Sequence, residues 1–341
     1  MNKKKSILES NVFYTLIAIA AGFVIGAVFL VIAGISPAVA YGKLLSSVFG
    51  KPKYLVWTLI YASPLIFTGL SVAFSFRTGV FNIGTPGQFI MGAFGAVYVG
   101  IMWEQLGSAH WIAALLASIV MGAVWGLIPG LLKAYFNVNV VISCIMMNYI
   151  GMYLVNWSVR GNKALFNTLR NESKNVAATA VIPKMGLDKV FAGSSVNGGI
   201  LIAVAVVILI YILLNKTAFG YELKAVGFNQ DAGKYAGINE KRNVVAAMVI
   251  AGAIAGLAGG LLYLAGTGKH IEIKDVLASE GFTGISVALL GLSHPIGVLF
   301  SGLFIAYLTA GGFYLQLFEF STEIIDIIVA VIIYFSAFAL I

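Results

Sequence analysis

The chain has 341 residues, of which 60% are apolar and only 10% are charged, and its formal net charge is +8. A soluble domain carries about 25% charged residues, so this composition excludes a water-soluble globular enzyme. Its long uncharged runs match a hydrocarbon layer of ~30 Å when they are helical. The basic residues form no long tract and flank these runs, which indicates membrane contact and no nucleic acid as partner. The sequence therefore predicts an all-α, polytopic integral membrane protein.

Hydropathy predicts about ten transmembrane helices, which place both termini in the cytoplasm. Under this orientation the cytoplasmic segments hold ten basic residues, and the other side holds five outside one long polar segment. An excess of basic residues on the cytoplasmic side is typical of membrane proteins. The predicted spans are residues 12–35, 54–76, 88–103, 111–132, 138–157, 199–214, 244–266, 281–292, 295–314 and 322–341.

A break separates the second and third predicted spans, where twelve residues from Arg77 to Gln88 include three glycines and a proline. Thr85 fits an N-cap, and Gln88 is placed to return a hydrogen bond in a capping box. Because the third span is short, we expect residues 79–84 to enter the membrane as unwound backbone, as in substrate-binding segments of transporters. A tight cytoplasmic turn is the alternative.

Two further features concern the packing of the spans. A second break, at residues 291–297, again precedes a span that opens with proline, and the two breaks suggest two pseudo-repeated halves. In the seventh span, Gly252 and Gly256 form a small-xxx-small pattern. This pattern predicts close helix packing.

Two polar segments lie between the spans. We expect residues 158–197 to form a partly ordered extracellular loop that caps the transmembrane body. The cytoplasmic segment, residues 215–243, contains a short predicted helix with Asn229 as N-cap and Gly237 as its C-terminal stop. So short a helix needs a surface on which to dock. A groove in a partner protein and the membrane face of this chain itself both remain open as that surface.

Sequence motifs for catalysis and metal binding are missing. None of the four Gly-Lys pairs is followed by Ser or Thr, so no phosphate-binding loop is present and any ATP must be hydrolysed by another subunit. The single cysteine, Cys144, has no partner, and the three histidines lie at span edges without a second ligand at metal spacing. We therefore predict that this chain is not an enzyme and holds no metal or cofactor.

Polar and aromatic residues at membrane depth are the candidates for contact with a solute. A polar side chain inside a span either bonds to a neighbouring helix or faces a transported solute. Asn148 is preceded by two methionines and followed by a tyrosine, a mixture suited to loose contact with a flat polar solute. The candidate substrate pathway consists of Phe81, Asn82, Gln88, Asn148 and Tyr149.

One acidic group lies near membrane depth. Glu319, Glu323 and Asp326 share a helical face because they are spaced by four and three residues. Carboxylates so placed would relay protons in a secondary transporter. Alternatively, Glu323 and Asp326 stabilise the first turn of the last span through the helix dipole, which is the interpretation that we prefer.

Four stretches of the chain together resemble the permease subunits of bacterial ABC importers for branched-chain amino acids, simple sugars and nucleosides, and the resemblance is closest to the nucleoside branch. The fourth stretch is similar to the cytoplasmic loop with which this family docks on its ATPase. Together the four stretches span nearly the whole chain, and their order and spacing are specific for this family. The stretches are GVFNIGTPGQ at 79–88, VVISCIMMNY at 140–149, GFTGISVALLG at 281–291 and KAVGFNQDAGKYAGIN at 224–239.

The resemblance implies a single transmembrane permease domain over residues 1–341, located in the bacterial cell membrane. It implies a cytoplasmic ATP-binding subunit, an extracellular substrate-binding protein and a second permease subunit, either a copy of this chain or a relative, alongside the surrounding membrane lipid. The expected function is ATP-driven import of nucleosides; the alternative is proton-coupled secondary transport of a small polar solute through Glu323 and Asp326. The residues implied in ATPase coupling are Lys224, Asn229, Asp231, Tyr235, Gly237 and Asn239.

Overall fold

The computed structural model describes residues 11–32, 34–50, 52–191, 196–315 and six residues between 326 and 335. Residues 11–315 contain twelve α-helices and one short antiparallel hairpin, β1 (Phe166–Asn167) and β2 (Glu172–Ser173). The helices are α1 (Asn11–Ile32), α2 (Pro37–Phe49), α3 (Pro52–Arg77), α4 (Thr85–Met102), α5 (His110–Phe136), α6 (Val140–Gly161), α7 (Gly199–Lys216), α8 (Ala218–Phe228), α9 (Gln230–Tyr235), α10 (Glu240–Tyr263), α11 (Ser279–Leu290) and α12 (Pro295–Leu315).

Eight of the described helices are long and apolar enough to cross a membrane, namely α1, α3, α4, α5, α6, α7, α10 and α12. The all-α, polytopic prediction is therefore confirmed, whereas the number of about ten spans is not. The predicted eighth span corresponds to α11, whose 12 residues rise only ~18 Å and cannot cross a bilayer alone. The predicted tenth span lies largely outside the described residues. The 13-residue α2 was not predicted, because hydropathy detects segments of spanning length.

Helix α10 forms the centre of the described body and packs against α3, α4 and α5. Glycines allow this close approach: a methyl group added to Gly122 of α5 would lie 2.6 Å from the Cα atom of Gly256. Gly252 also meets the backbone of α5, at the carbonyl oxygen of Gly122. The close packing predicted from the small-xxx-small pattern is confirmed.

Different helices border this core on different sides. Helix α6 packs on α4 and α5, whereas α12 packs on α3, α11, α7 and α2. Near α12, a small cluster of Leu30, Ala40, Leu44 and Leu308 joins α1 and α2 to the body. The polar segment between α6 and α7 covers one end of the bundle, and α8 and α9 lie at the opposite end.

That polar segment is tied to its neighbours by hydrogen bonds. The backbone N–H of Ser173 donates to the carbonyl of Ile271 at 2.9 Å, and that of Ile182 donates to Leu264 at 3.0 Å. The buried His110 ring, at the start of α5, contacts the Thr179 hydroxyl and the Val99 carbonyl at 2.8 Å each. Helix α6 ends at Gly161, inside the segment predicted as loop.

The two predicted breaks differ in structure. The first is an extended segment between α3 and α4. The second is a tight turn between α11 and α12, in which Leu292 and Ser293 have φ values of 54° and 50°. The duplication of two halves stays a prediction.

Candidate functional site

The break between α3 and α4 is unwound backbone that lies alongside spanning helices. Helix α3 ends at Arg77, and Gly79 turns the chain with a φ of +74° before α4 begins at Thr85. The backbone N–H of Gly87 reaches the side chain of Asn148, which at 1.5 Å per residue is ~12 Å along α6 from its start. Ile83 of the break also bonds Asn148, so the break packs beside α6 within the bundle, as the re-entrant prediction requires, and its depth in the membrane stays a prediction.

The predicted capping box is wrong. The N-cap of α4 is Gly84 and not Thr85, so the helix has no side-chain cap at this residue. The Oδ1 atom of Asn82 accepts from the Gly84 N–H at 2.9 Å, and its Nδ2 atom donates to Gln88 Oε1 at 3.0 Å. Asn82 thus holds the Gln88 side chain, and the backbone N–H groups that a capping Thr85 would have bonded have other acceptors: Asn148 Oδ1 for Gly87 and the Gly84 carbonyl for Gln88.

Asn148 fastens α6 to this break. Its Oδ1 atom accepts from the N–H of Gly87 at 2.9 Å, and its Nδ2 atom donates to the carbonyl of Ile83 at 3.0 Å. The thiol of Cys144 lies 3.6 Å from Asn82 Oδ1. The structure thus brings together Asn82, Gln88 and Asn148 in one buried network. Their bonds stay within the protein in this conformation, and contact with a solute stays a prediction.

The two aromatic members of the predicted pathway are exposed. Phe81 is 49% exposed and stacks on Phe76 with ring centroids 4.9 Å apart. Tyr149 is 47% exposed and belongs to an open face of α6 that also carries Tyr153 and Trp157. Tyr153 and Trp157 were not among the predicted pathway residues, although the spacing of four residues places all three aromatic side chains on one helical face.

A cleft of about 300 Å³ lies between α4, α6, the end of α10 and the start of α11. It is named the outward cleft because it opens at the end of the bundle away from α8. Lys269 and Glu280 form an ion pair of 2.7 Å in its wall, and both side chains are partly buried. A methyl group on Gly281 would lie 2.6 Å from the backbone nitrogen of Pro86, so α11 and α4 begin side by side here. The polar residues that line the cleft are Asn156, Tyr263, Lys269, His270, Glu272, Lys274, Ser279 and Glu280.

The sequence does not indicate this cleft. Its charged residues lie in a connection between two predicted spans, and hydropathy does not indicate that this connection folds back between the helices. A signal was present in the charges of this connection, since residues 269–280 contain two lysines and three acidic residues in a largely uncharged chain.

The predicted coupling segment folds into α8 and α9. Asn229 caps α9, because its Oδ1 atom accepts from the Ala232 N–H at 3.0 Å, and Gly237 follows the helix with a φ of +78°. Asn239 caps α10 in the same way, with Arg242 as donor at 3.1 Å. Lys224 bonds to Asn215 Oδ1 at 3.4 Å. The cap and the stop of the short helix are confirmed.

The outer surface of α8 and α9 is rich in exposed side chains. Phe228 is 90% and Tyr235 is 98% exposed, Asp231 is exposed as well, and only Gly233 of α9 is buried. Large aromatic side chains in water mark a binding surface. Because α9 buries only Gly233 against this chain, its exposed side chains are free to meet another surface, and both the partner protein and the membrane face stay open.

The inner side of α8 contacts the break directly. A methyl group on Gly227 would lie 2.6 Å from the carbonyl carbon of Thr78 and 2.7 Å from the nitrogen of Gly79. The two glycines allow two backbones to touch without a side chain between them. A continuous path of contacts therefore leads from the exposed α8–α9 surface through Gly79 to the network of Asn82 and Asn148.

The predicted acidic group lies mostly outside the residues that the structure describes. Glu319 and Glu323 lie outside the described residues, and Asp326 is exposed, so neither interpretation of the acidic group is tested. In the described ranges, no cluster of three His, Cys, Asp or Glu side chains could hold a metal ion.

Comparison with known proteins identifies the family. A family model described as the permease component of the branched-chain amino acid transport system matches residues 54–337. The chain belongs to this permease family. The resemblance to permease subunits of ABC importers is thereby confirmed, and the chain is a transport subunit that crosses the cell membrane several times. Partners of the ATP-binding and substrate-binding kinds follow in general from the family.

Several relatives match over most of their length. The guanosine ABC transporter permease protein NupP of Bacillus subtilis is 36% identical over 329 residues, which cover 96% of this chain and 93% of NupP. The nucleoside ABC transporter permease protein NupB of Lactococcus lactis is 34% identical, covering 96% and 91%. The glucose ABC transporter permease protein TsgB13 of Haloferax volcanii is 31% identical, covering 94% and 85%. No solved structure matches the chain.

Proposed function

We propose that this chain is the membrane-spanning subunit of an ATP-driven importer of nucleosides. The observation that carries the proposal is the similarity, over more than nine tenths of both chains, to permeases named for guanosine and for nucleosides. Tyr149, Tyr153 and Trp157 support it, because exposed aromatic rings offer flat faces on which a nucleobase stacks.

The solute would enter through the outward cleft and pass along the open face of α6. This face is apolar and aromatic, and in the described structure nothing covers it. A second permease subunit, either another copy or a relative, would close the pathway from the opposite side. Phe81 lies at the break and would form part of the inner end of the pathway.

Work from ATP would reach the pathway through α8 and α9. A cytoplasmic ATP-binding subunit would dock on the surface that carries Phe228, Asp231 and Tyr235. Movement of α8 would displace the break through the contact of Gly227 with Gly79, and the carboxamides of Asn82 and Asn148 would pass this displacement to α4 and α6. Packed elements move as rigid bodies in such transitions.

The proposal implies an orientation of the chain in the membrane. The α8–α9 side would face the cytoplasm together with both termini, and the polar segment of residues 158–197 would meet the substrate-binding protein outside the cell. Proton-coupled transport has less support, because the family assignment favours an ATP-driven importer.

A simple sugar is the second candidate substrate, since a permease named for glucose is also similar over most of the chain. Uptake of radiolabelled guanosine, uridine and glucose into cells that express the complete transporter distinguishes the two. We expect accumulation of nucleosides and none of glucose. Accumulation of glucose alone would contradict the nucleoside assignment.

The coupling role of α9 can be tested at its C-terminal stop. Gly237→Val places a β-branched residue at a φ of +78°, a conformation that such residues avoid. We expect uptake to be lost while solute binding by the substrate-binding protein is unchanged. Gly42→Val is the matched control, because Gly42 lies in α2, outside the proposed pathway, and has open space around its Cα atom; normal uptake by the Gly237 variant would contradict the proposal.

A further inference from the structure

An apolar groove of about 770 Å³ lies between α1 and the beginning of α12, away from the proposed pathway. Its walls are formed largely by Ile19, Leu290, Leu292, Ile296, Phe300 and Phe304. Because α1 and α12 are both long and apolar enough to span the bilayer, the groove opens towards hydrocarbon. It lies at the end of the bundle that carries α8, since Arg77 of the groove immediately precedes the residues that touch Gly227.

One end of the groove carries a positive charge. Arg77 is exposed, and its Nε atom donates to the carbonyl of Ser293 at 3.0 Å. A guanidinium has five N–H donors, and the other four have no acceptor in the described part of the chain. None of the described residues that line the groove is acidic.

His294 lies beside this charge. Burial in the turn lowers the pKa of His294 below its usual value, and the charge of Arg77 lowers it further. The imidazole of His294 is therefore protonated less readily than that of a free histidine, whereas a guanidinium stays charged. Arg77 therefore supplies the permanent positive charge at the end of an apolar groove.

We propose that the groove binds one anionic phospholipid, with its phosphate on Arg77 and an acyl chain between α1 and α12. A guanidinium matches the geometry of a phosphate through paired hydrogen bonds, and basic pockets between transmembrane helices bind anionic headgroups. A helix of another protein would fill the apolar part but would also need an acidic group in register with Arg77. The assignment of this lipid to the leaflet that faces the ATP-binding subunit rests on the proposed function.

The experiment measures lipid retained by the intact transporter complex. The purified complex is exchanged into mixed micelles with equal amounts of phosphatidylglycerol and phosphatidylcholine of identical acyl chains, and retained lipid is quantified by mass spectrometry. We expect about fivefold enrichment of phosphatidylglycerol, the effect of one basic side chain at a bilayer surface. Arg77→Gln should lower this ratio several-fold relative to the wild type, whereas Arg77→Lys should keep most of it.

Lys216→Gln is the matched control, because Lys216 is an exposed cation at the same end of the bundle and does not line the groove. Its ratio should equal that of the wild type. Independently of any variant, ~1 M NaCl should bring the wild-type ratio towards parity, since the Debye length is then ~3 Å.

Three results would overturn the proposal: an unchanged ratio in Arg77→Gln, an equal loss in Lys216→Gln, or no effect of salt on the wild type. Cross-linking of a Phe300→Cys variant to another permease chain would also overturn it, because Phe300 is 65% exposed in the groove and would then face protein. Failure of nucleoside uptake would leave the lipid ratio unaffected, so the two proposals fail separately.

Discussion

The contact between Gly227 of α8 and Gly79 of the break is the most direct test of how work reaches the pathway. The variant is Gly227→Ala, which adds a single methyl group on the inner side of α8. That methyl would lie 2.6 Å from the carbonyl carbon of Thr78, whereas carbon atoms in contact are normally about 3.5–4.0 Å apart. Helix α8 must therefore move away from the break by about 1 Å.

The energetic cost follows from this displacement. Insertion of a methyl group into a well-packed contact costs about 1–3 kcal/mol, and 1.4 kcal/mol corresponds to a tenfold change in an equilibrium. If the contact transmits movement, this cost destabilises the conformation in which α8 contacts the break. We expect the uptake rate to decrease roughly tenfold, and the ATP-binding subunit to remain bound because the exposed surface of α9 is unchanged.

Uptake and ATP hydrolysis are measured in parallel on the purified transporter in proteoliposomes, with the substrate-binding protein present. The expected result is low uptake with hydrolysis that no longer responds to loaded substrate-binding protein. Gly42→Ala in α2 is the matched control, because it adds the same methyl group to a helical glycine with open space around it. Wild-type uptake in Gly227→Ala would refute the argument that this contact couples the two sites.

Three other substitutions test the fold and the pathway. Asn148→Leu leaves a buried backbone N–H and a buried carbonyl unpaired at about 1–3 kcal/mol each, and we expect a lower melting temperature in detergent. Gly256→Val clashes with the backbone of α5 and should prevent recovery of monodisperse protein, whereas Gly42→Val should not; equal recovery would show that the close packing is not needed. Tyr153→Ala should raise the KM for nucleoside uptake several-fold, and Tyr14→Ala, at an exposed tyrosine of α1, should leave the KM unchanged.

The features predicted correctly from the sequence depend on residues close together in the chain. Span-length apolar runs, the glycine spacing of α10, and the cap and stop of α9 are all local patterns. Asn229 bonds a residue three positions away. Gly237 has a positive φ, and no distant residue of the described chain packs against its Cα atom. Periodicity and capping chemistry determine these elements, so they could be predicted without a structure.

The features that were missed depend on contacts between distant residues. Asn148 bonds the carbonyl of Ile83, 65 positions away, and it also accepts from the Gly87 N–H that the local pattern assigned to a capping Thr85. The contact of Gly227 with Gly79 and the placement of the Lys269–Glu280 pair in the cleft likewise result from helix packing. Composition shows that such polar groups need partners, but it does not show which partners they find.

The central claim is that this chain forms a pathway and receives its work from a separate ATP-binding subunit through α8 and α9. The most direct measurement compares proteoliposomes that contain the permease chains alone with proteoliposomes that also contain the ATP-binding subunit, each supplied with loaded substrate-binding protein. We predict uphill accumulation of nucleoside only with the ATP-binding subunit and ATP. Uphill accumulation by the permease chains alone, driven by a proton gradient, would contradict the claim.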